Sequence, residues 1–286
     1  MRFELLFFDT ADPSLGRVDY TSFSQQALME MVIQEITNKA KICRDADEPK
    51  DIGEWMGVTV EDSEVVKIDW GWRYLGGSLH LEWLPSSVSE FTGDSNQFTG
   101  TIDMASLPTS MKNLSLAYNS FTAAIDLEKL PESIVDLDVF ENKLSGSLKL
   151  ESLPDTLTGF YANANKFTGR VDLTRLPSAL KNLNLDTNQL SGYVVLTQLP
   201  RSLEELYLAN NQFNGSLDLT RLPPNMSELN LQHNSFSGTA DLSQLPQGLE
   251  ELNLSDNELW GEVFISDALF DAVEVENTKL IKRHMQ

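Results

Sequence analysis

The chain has few of the residues that cross-linking and catalysis use. Among 286 residues it holds one cysteine, Cys43, and three histidines, His80, His233 and His284. A lone thiol forms no intrachain disulfide, and no histidine flanks Cys43 to activate it, so it reads as a structural residue. The histidines show no metal-ligand spacing. No P-loop, dinucleotide-binding glycine pattern or nucleophile elbow occurs. No enzymatic activity, cofactor or metal is therefore expected. Long apolar runs are missing as well, and nothing approaches the ~20 residues of a membrane span. The opening "MRFELLFFDTADPS" is interrupted by Glu4 and Asp9 and lacks the apolar stretch of a secretory signal.

Positive charge is also scarce. There are 21 bases against 43 acids, a formal net charge of −22. Residues 1–60 hold 11 acids and 6 bases, so the remainder, with 32 and 15, carries −17 of that total. Such a surface repels phosphate backbones and anionic lipids. Nucleic-acid and membrane-surface binding are disfavoured; a basic protein partner is not. An apolar content of 41% allows a sizeable core.

What the chain does have is a repeat. Asparagine recurs at 96, 119, 142, 165, 188, 211, 234 and 257, always 23 apart, and Leu-Pro recurs in step from Leu84 to Leu245. One unit reads "LPRSLEELYLANNQFNGSLDLTR". Its Leu206-Tyr207-Leu208 alternates with period two, which predicts a short strand with one buried face. Stacked units then form a parallel sheet. The asparagine satisfies backbone groups at the turn leaving the strand. Phe or Leu two residues later fills the core, and Gly four residues later supplies a positive φ, a column broken only by Ala123. A second strand is expected after the Gly, as at Val171 and Leu173. One unit cannot cover its own apolar face; its neighbours do.

The ends need caps. Residues 1–64 read as an N-terminal helical cap, with Ser22 and Gln25 as a capping box and a stripe of Leu28, Met31, Val32 and Ile36. Residues 65–266 form the solenoid of about nine units, beginning with a coil that has Arg73 at the asparagine position. Residues 267–286 close it, with Val273 and Val275 as a last strand and Leu280 at the asparagine position. The whole reads as one continuous structural domain.

This pattern resembles a leucine-rich repeat protein over about residues 21–280. "LxxLxLxxNxFxGxxDL" is most similar to the plant-type subclass, with 23-residue units like those of protist variants. The resemblance implies an α/β repeat fold: a curved solenoid with a parallel β-sheet on its concave face, short second strands and an irregular convex side. It also implies binding of proteins, peptides or small ligands on the concave sheet, without catalysis. "EWMGVTV" at 54–60 is similar to the family's "CxWxGVxC" cap, but Gly53, Glu54 and Val60 stand around the Trp where cysteines would be. A cap without its disulfide, together with the missing signal sequence, points to an intracellular, cytoplasmic protein; a secreted or cell-surface receptor or inhibitor is the alternative.

Ligand contacts are expected from residues flanking the Leu-x-Leu pairs. The candidate partner-binding set is Trp72, Tyr118, Asp136, Asp138, Phe140, Glu141, Tyr161, Glu205, Tyr207, Glu228, His233 and Glu251. Aromatics framed by acids suit a partner of basic or mixed charge, bound by a non-enzymatic scaffold that is monomeric on its own or a subunit of a larger complex. Asp103, Asp126, Asp172, Asp218 and Asp241 form an outward column, read as solvated or turn-bonded rather than as a calcium site. Four sequons begin at Asn113, Asn214, Asn225 and Asn253; glycans at Asn113 and Asn253 would obstruct the concave face.

Overall fold

The structure, a computed structural model, describes residues 23–285; Ser22 and the opening apolar stretch lie outside them. Each coil gives three residues to an 11-stranded sheet, in which the repeat strands pair parallel, one coil to the next, in constant register. The central residues Leu137, Phe160, Leu183 and Leu206 are fully buried. The buried apolar side chains from Met29 to Leu280 form one cluster.

The repeated asparagine holds consecutive coils together. Asn165 Oδ1 accepts the Leu144 N–H of the preceding coil at 3.0 Å. Its amide donates to Val139 of that coil at 2.9 Å and to Ala162 and Asn163 of its own. The same pattern recurs at every asparagine of the column, including Asn142, Asn188 and Asn257. The residue before each one has a left-handed φ, from Ser95 at 54° through Ala164 at 51° to Asp256 at 54°. These strained turns persist because the asparagine over-determines them. A second set of bonds, not expected from the sequence, lines the descending turn: Ser110, Ser133, Thr156 and Ser202 point their hydroxyls at carbonyls of the previous coil.

The second strand lies before the Gly, not after it. Lys143–Gly146, Lys166–Gly169 and their equivalents pair parallel in an eight-stranded lateral sheet and end on a Gly with φ of 85° or more. That φ turns the chain away from the sheet, so Val171 and Leu173 are buried but lead into a turn instead of a strand. At the column's one exception Ala123 adopts φ 69° itself, and its strand, Thr122–Ala123, shrinks to two residues. An L-residue there costs about 1–2 kcal/mol. The Asp column caps these turns: Asp103 accepts from Ala105 N–H, Asp126 from Glu128, and Asp172, Asp218 and Asp241 likewise.

At the N-terminal end helix α1 (Gln25–Val32) is capped by Ser24, which accepts the Ala27 N–H at 3.2 Å. Its buried face is Leu28, Met29 and Val32, continued by Ile33 and Ile36; Met31, expected in that stripe, is only half-buried. Trp55 is buried, with Nε1 donating to Lys50 O. Gly57 has φ 75°, and a Cβ there would meet Asp69 O at 1.8 Å. Beyond it β1 (Val58–Glu61) turns back antiparallel onto β2 (Glu64–Asp69), the first strand of the concave sheet. Cys43 is fully buried; its thiol donates to Asp45 O, and burial raises its pKa. Arg73 does not perform the asparagine's task. Asn38 and Lys41 of the cap bond the first coil's turn at Tyr74 O, Gly76 N and Arg73 O.

At the other end the final coil is two residues short, because Leu252 pairs with Val273. Thr278, not Leu280, therefore takes the asparagine's place: its hydroxyl donates to Val275 O and accepts the Leu280 N–H, while Leu280 fills the core. Lys282 folds across the end and donates to Phe270 O and Val273 O.

Replacing Asn165 by Leu leaves the Leu144 N–H buried without a partner and removes one of the two side-chain amides that the Val139 carbonyl accepts. It should lower the unfolding free energy by about 3 kcal/mol in urea titrations, while Asn163→Ala on the surface should cost less than about 0.5 kcal/mol.

Candidate functional site

Alternation along the concave strands directs the residue on either side of each central Leu or Phe outward. One column, read from coil to coil, contains Asp136, Gly159, Asn182, Glu205, Glu228 and Glu251; the other contains Asp138, Tyr161, Asn184, Tyr207 and Asn230. Phe140 lies two residues beyond the strand, in a column shared with Asp94 and Asp186. Trp72, Tyr118, Glu141 and His233 occupy the left-handed turn at the rim. Simple alternation did not foresee that placement, since these four lie past the strand ends.

Two groups emerge. In the first, Tyr118 and Phe140 meet edge to face with ring centroids 4.7 Å apart. Asp138 accepts the Phe140 N–H at 2.9 Å. Beside them Gly159 leaves a notch: a Cβ there would lie 2.3 Å from Asp136 Oδ1 and 3.0 Å from the Tyr161 ring. Gly159 thus lets the Asp136 carboxylate and Tyr161 fold together, a role hidden in the sequence because glycine carries no chemistry of its own. In the second group, Glu205, Glu228 and Glu251 stand opposite one another on consecutive strands. The Tyr207 hydroxyl donates to Glu228, with Glu205 at 3.4 Å. Among the described residues no Lys or Arg pairs with Glu205, Glu228 or Glu251, whereas Glu90 pairs with Lys67 and Glu204 with Lys181. Trp72 stands apart at the N-terminal end, and His233 faces Asp256 at 3.5 Å.

Burial dominates the electrostatics of this face. It pushes Asp138 up to about 6, opposed by the Phe140 N–H and helped by the charge of Asp94. It pushes Asp186 up to about 7, opposed by the Ala209 N–H that its carboxylate accepts from the next coil. Asp94 is raised by burial against bonds from the Ser115 hydroxyl and Ala117 N–H. Ala117 and Ala209 are small, which leaves room for a carboxylate reaching over from the preceding coil. Glu205 is raised by burial and by Glu228; Glu251 is raised by burial, Glu274 and Glu228. Part of the negative charge on these columns is therefore weakly held.

Asp138 and Asp186 bind protons more tightly folded than unfolded, since an unfolded Asp titrates near ~3.9. Between that value and about 6 to 7 the folded chain holds more protons, so their contribution to stability falls as pH rises through this window. Asp186→Asn, which keeps an acceptor for Ala209, should flatten the loss of stability between pH 4 and 7. At pH 8 it should be more stable than the parent, read as urea midpoints across pH.

Comparison with known proteins agrees with this architecture. A family model described as "Leucine Rich Repeat" matches residues 202–222. No curated protein matches the sequence. Among solved structures, the chain is similar to one in the PEPR1-AtPEP1 structure, with 21% identity and TM-score 0.69 over 91% of this chain and 41% of that one. It is similar to the ectodomain of the Arabidopsis thaliana receptor kinase GASSHO1/SCHENGEN3, solved with CASPARIAN STRIP INTEGRITY FACTOR 2, at 21% identity and TM-score 0.64 over 90% and 36%. A plant ice-binding protein aligns at 17% identity and TM-score 0.62 over 90% and 95%. The chain thus spans 41% and 36% of the first two of these chains. No helix among the described residues is long and apolar enough to cross a membrane. The 23-residue unit, the asparagine ladder and the parallel concave sheet give this chain the fold of a leucine-rich repeat solenoid.

Proposed function

We propose that the chain is a non-enzymatic binding module whose concave face takes an extended peptide or protein segment carrying a basic residue. The observation behind this reading is the row Glu205, Glu228 and Glu251, three carboxylates in register with no Lys or Arg of the described residues paired to them. Like charges on adjacent strands destabilise a sheet. A ligand Lys or Arg would relieve that repulsion. The Tyr118–Phe140 pair offers the apolar contact, and Asn182 and Asn184 between the groups can bond an extended backbone. Phe140 and Tyr207 are three coils apart. At about 4.8 Å per strand and about 3.3 Å per extended residue, the apolar and basic residues of the ligand stand roughly four positions apart.

We read this module as a secreted or cell-surface receptor- or inhibitor-type solenoid in preference to an intracellular scaffold. Its likeness to a receptor ectodomain solved with a bound factor favours this reading. The sequon pattern opposes it at Asn113 alone, which lies on a concave strand. Asn253 is buried and its amide donates to Glu274, so it is closed to a glycosyltransferase. Asn214 and Asn225 are exposed and lie off the concave strands.

Panning a random peptide library against the immobilised protein should enrich Lys or Arg about four residues from an aliphatic or aromatic residue. Enrichment without basic residues sinks the proposal. Charge reversal at Asp136 and Glu141 should weaken the selected peptides about tenfold while leaving the melting temperature unchanged; Asp138, tied to the Phe140 N–H, is tested as Asn instead. Expression through a eukaryotic secretory pathway should place glycans on Asn214 or Asn225 and none on Asn253, as read by glycopeptide mass spectrometry.

A further inference from the structure

The lateral sheet differs in charge from the rest of the surface. Its outward positions are the first residue of each strand and those two and four later. In the five coils from Lys143 to Thr239 these positions hold no Asp or Glu, in a chain of net charge −22. They carry hydroxyls and amides, together with Lys143, Lys166, Arg170 and Tyr193. Arg170 is the best placed of the cations. Its guanidinium lies over the Tyr193 ring, 5.5 Å from the centroid. Its stem crosses Gly192, where a Cβ would come within 2.8 Å of Arg170 Cγ. Among the described residues no carboxylate pairs with it. The neighbouring cations are engaged: Lys149 with Glu128, and Arg175 with Asp172 and Glu151. Arg170 and Tyr193 help line a groove of about 480 Å³ whose other walls include Ser147, Lys149 and Thr174, together with Glu151 and Asp172, the two carboxylates paired to Arg175.

We propose that this lateral face is a second binding site, for a carboxylate-bearing oligosaccharide. Arg170, held by stacking with its donors directed outward, takes a uronate carboxylate as a charge-assisted bond. The Tyr193 ring takes the flat face of a sugar, and Lys166 with the hydroxyl and amide rows takes the next residues along the sheet. Chemistry favours a glycan over a peptide here. A protein interface needs an apolar centre, and this face has only Tyr193. A nucleic acid, with one phosphate per nucleotide, would meet three cations against a strongly anionic chain.

The site is tested by calorimetry with a six-residue oligouronate and its fully methyl-esterified form, on protein made without N-glycans because Asn214 lies on this face. The free acid should bind, more weakly at 500 mM than at 50 mM salt, and the ester at least tenfold more weakly. Arg170→Gln and Tyr193→Ala should each lower affinity at least tenfold with unchanged melting temperature, and Lys129→Gln on the convex side should have no effect. Equal binding of acid and ester, binding indifferent to Arg170→Gln, or no binding of the oligouronate overturns the proposal. A peptide selected on the concave face should not compete with the sugar, so either site can fail without the other.

Discussion

The amide of one side chain, repeated every coil, sets the conditions for everything else in this molecule. Each ladder asparagine closes a turn whose preceding residue is left-handed and bonds the coil before it. A hydrophobic side chain could fill the same volume but would leave the preceding coil's N–H buried and unpaired and weaken the bonding of the carbonyls around it. Because those bonds run between coils, they fix stacking distance as well as turn shape. The sheet register, the columns of outward side chains and the relation between concave and lateral faces all inherit that spacing.

The amide ladder also explains how much could be read from the amino acids alone. The unit length, the core leucines and the turn-capping role of Asp103 or Asp172 follow from residue types at fixed offsets. What escaped reading depended on backbone geometry. The second strand precedes Gly169 because a positive φ ends it, and periodicity does not reveal which side of the Gly pairs. Thr278 replaced Leu280 at the final turn because the last coil is two residues shorter, a change invisible when a constant repeat is extrapolated. Ser24 rather than Ser22 caps the first helix, and that shift of register moves Met29 and Ile33 into its buried face. Tyr118, Glu141, His233 and Trp72, expected to project from the concave strands, lie past the strand ends on the rim turn. Gly159, with no side chain to read, still shapes the notch between Asp136 and Tyr161.

Charge is distributed by face. The concave sheet concentrates carboxylates and partly buries them, so that Asp138 and Asp186 titrate well above the range of a free aspartate. The convex turns use theirs as caps, which holds Asp172, Asp218 and Asp241 below it. The lateral sheet has none over five coils. A solenoid can keep such faces separate because each residue of the unit always returns to the same side, and substitutions in one column leave the others unchanged. Two ligands of opposite charge can therefore be addressed on one narrow rod.

The ends, in contrast, are not interchangeable with the middle. Trp55, Gly57 and the β1–β2 hairpin fit only the first coil, and the shortened last coil with Lys282 across it fits only the final one. Growth is thus confined to the interior, where inserting or deleting 23 residues between two asparagines would preserve every inter-coil bond. The reach of the concave face is in that sense a counted quantity, adjustable by whole coils, and the spacing between its apolar and acidic groups could lengthen in steps without either group being redesigned.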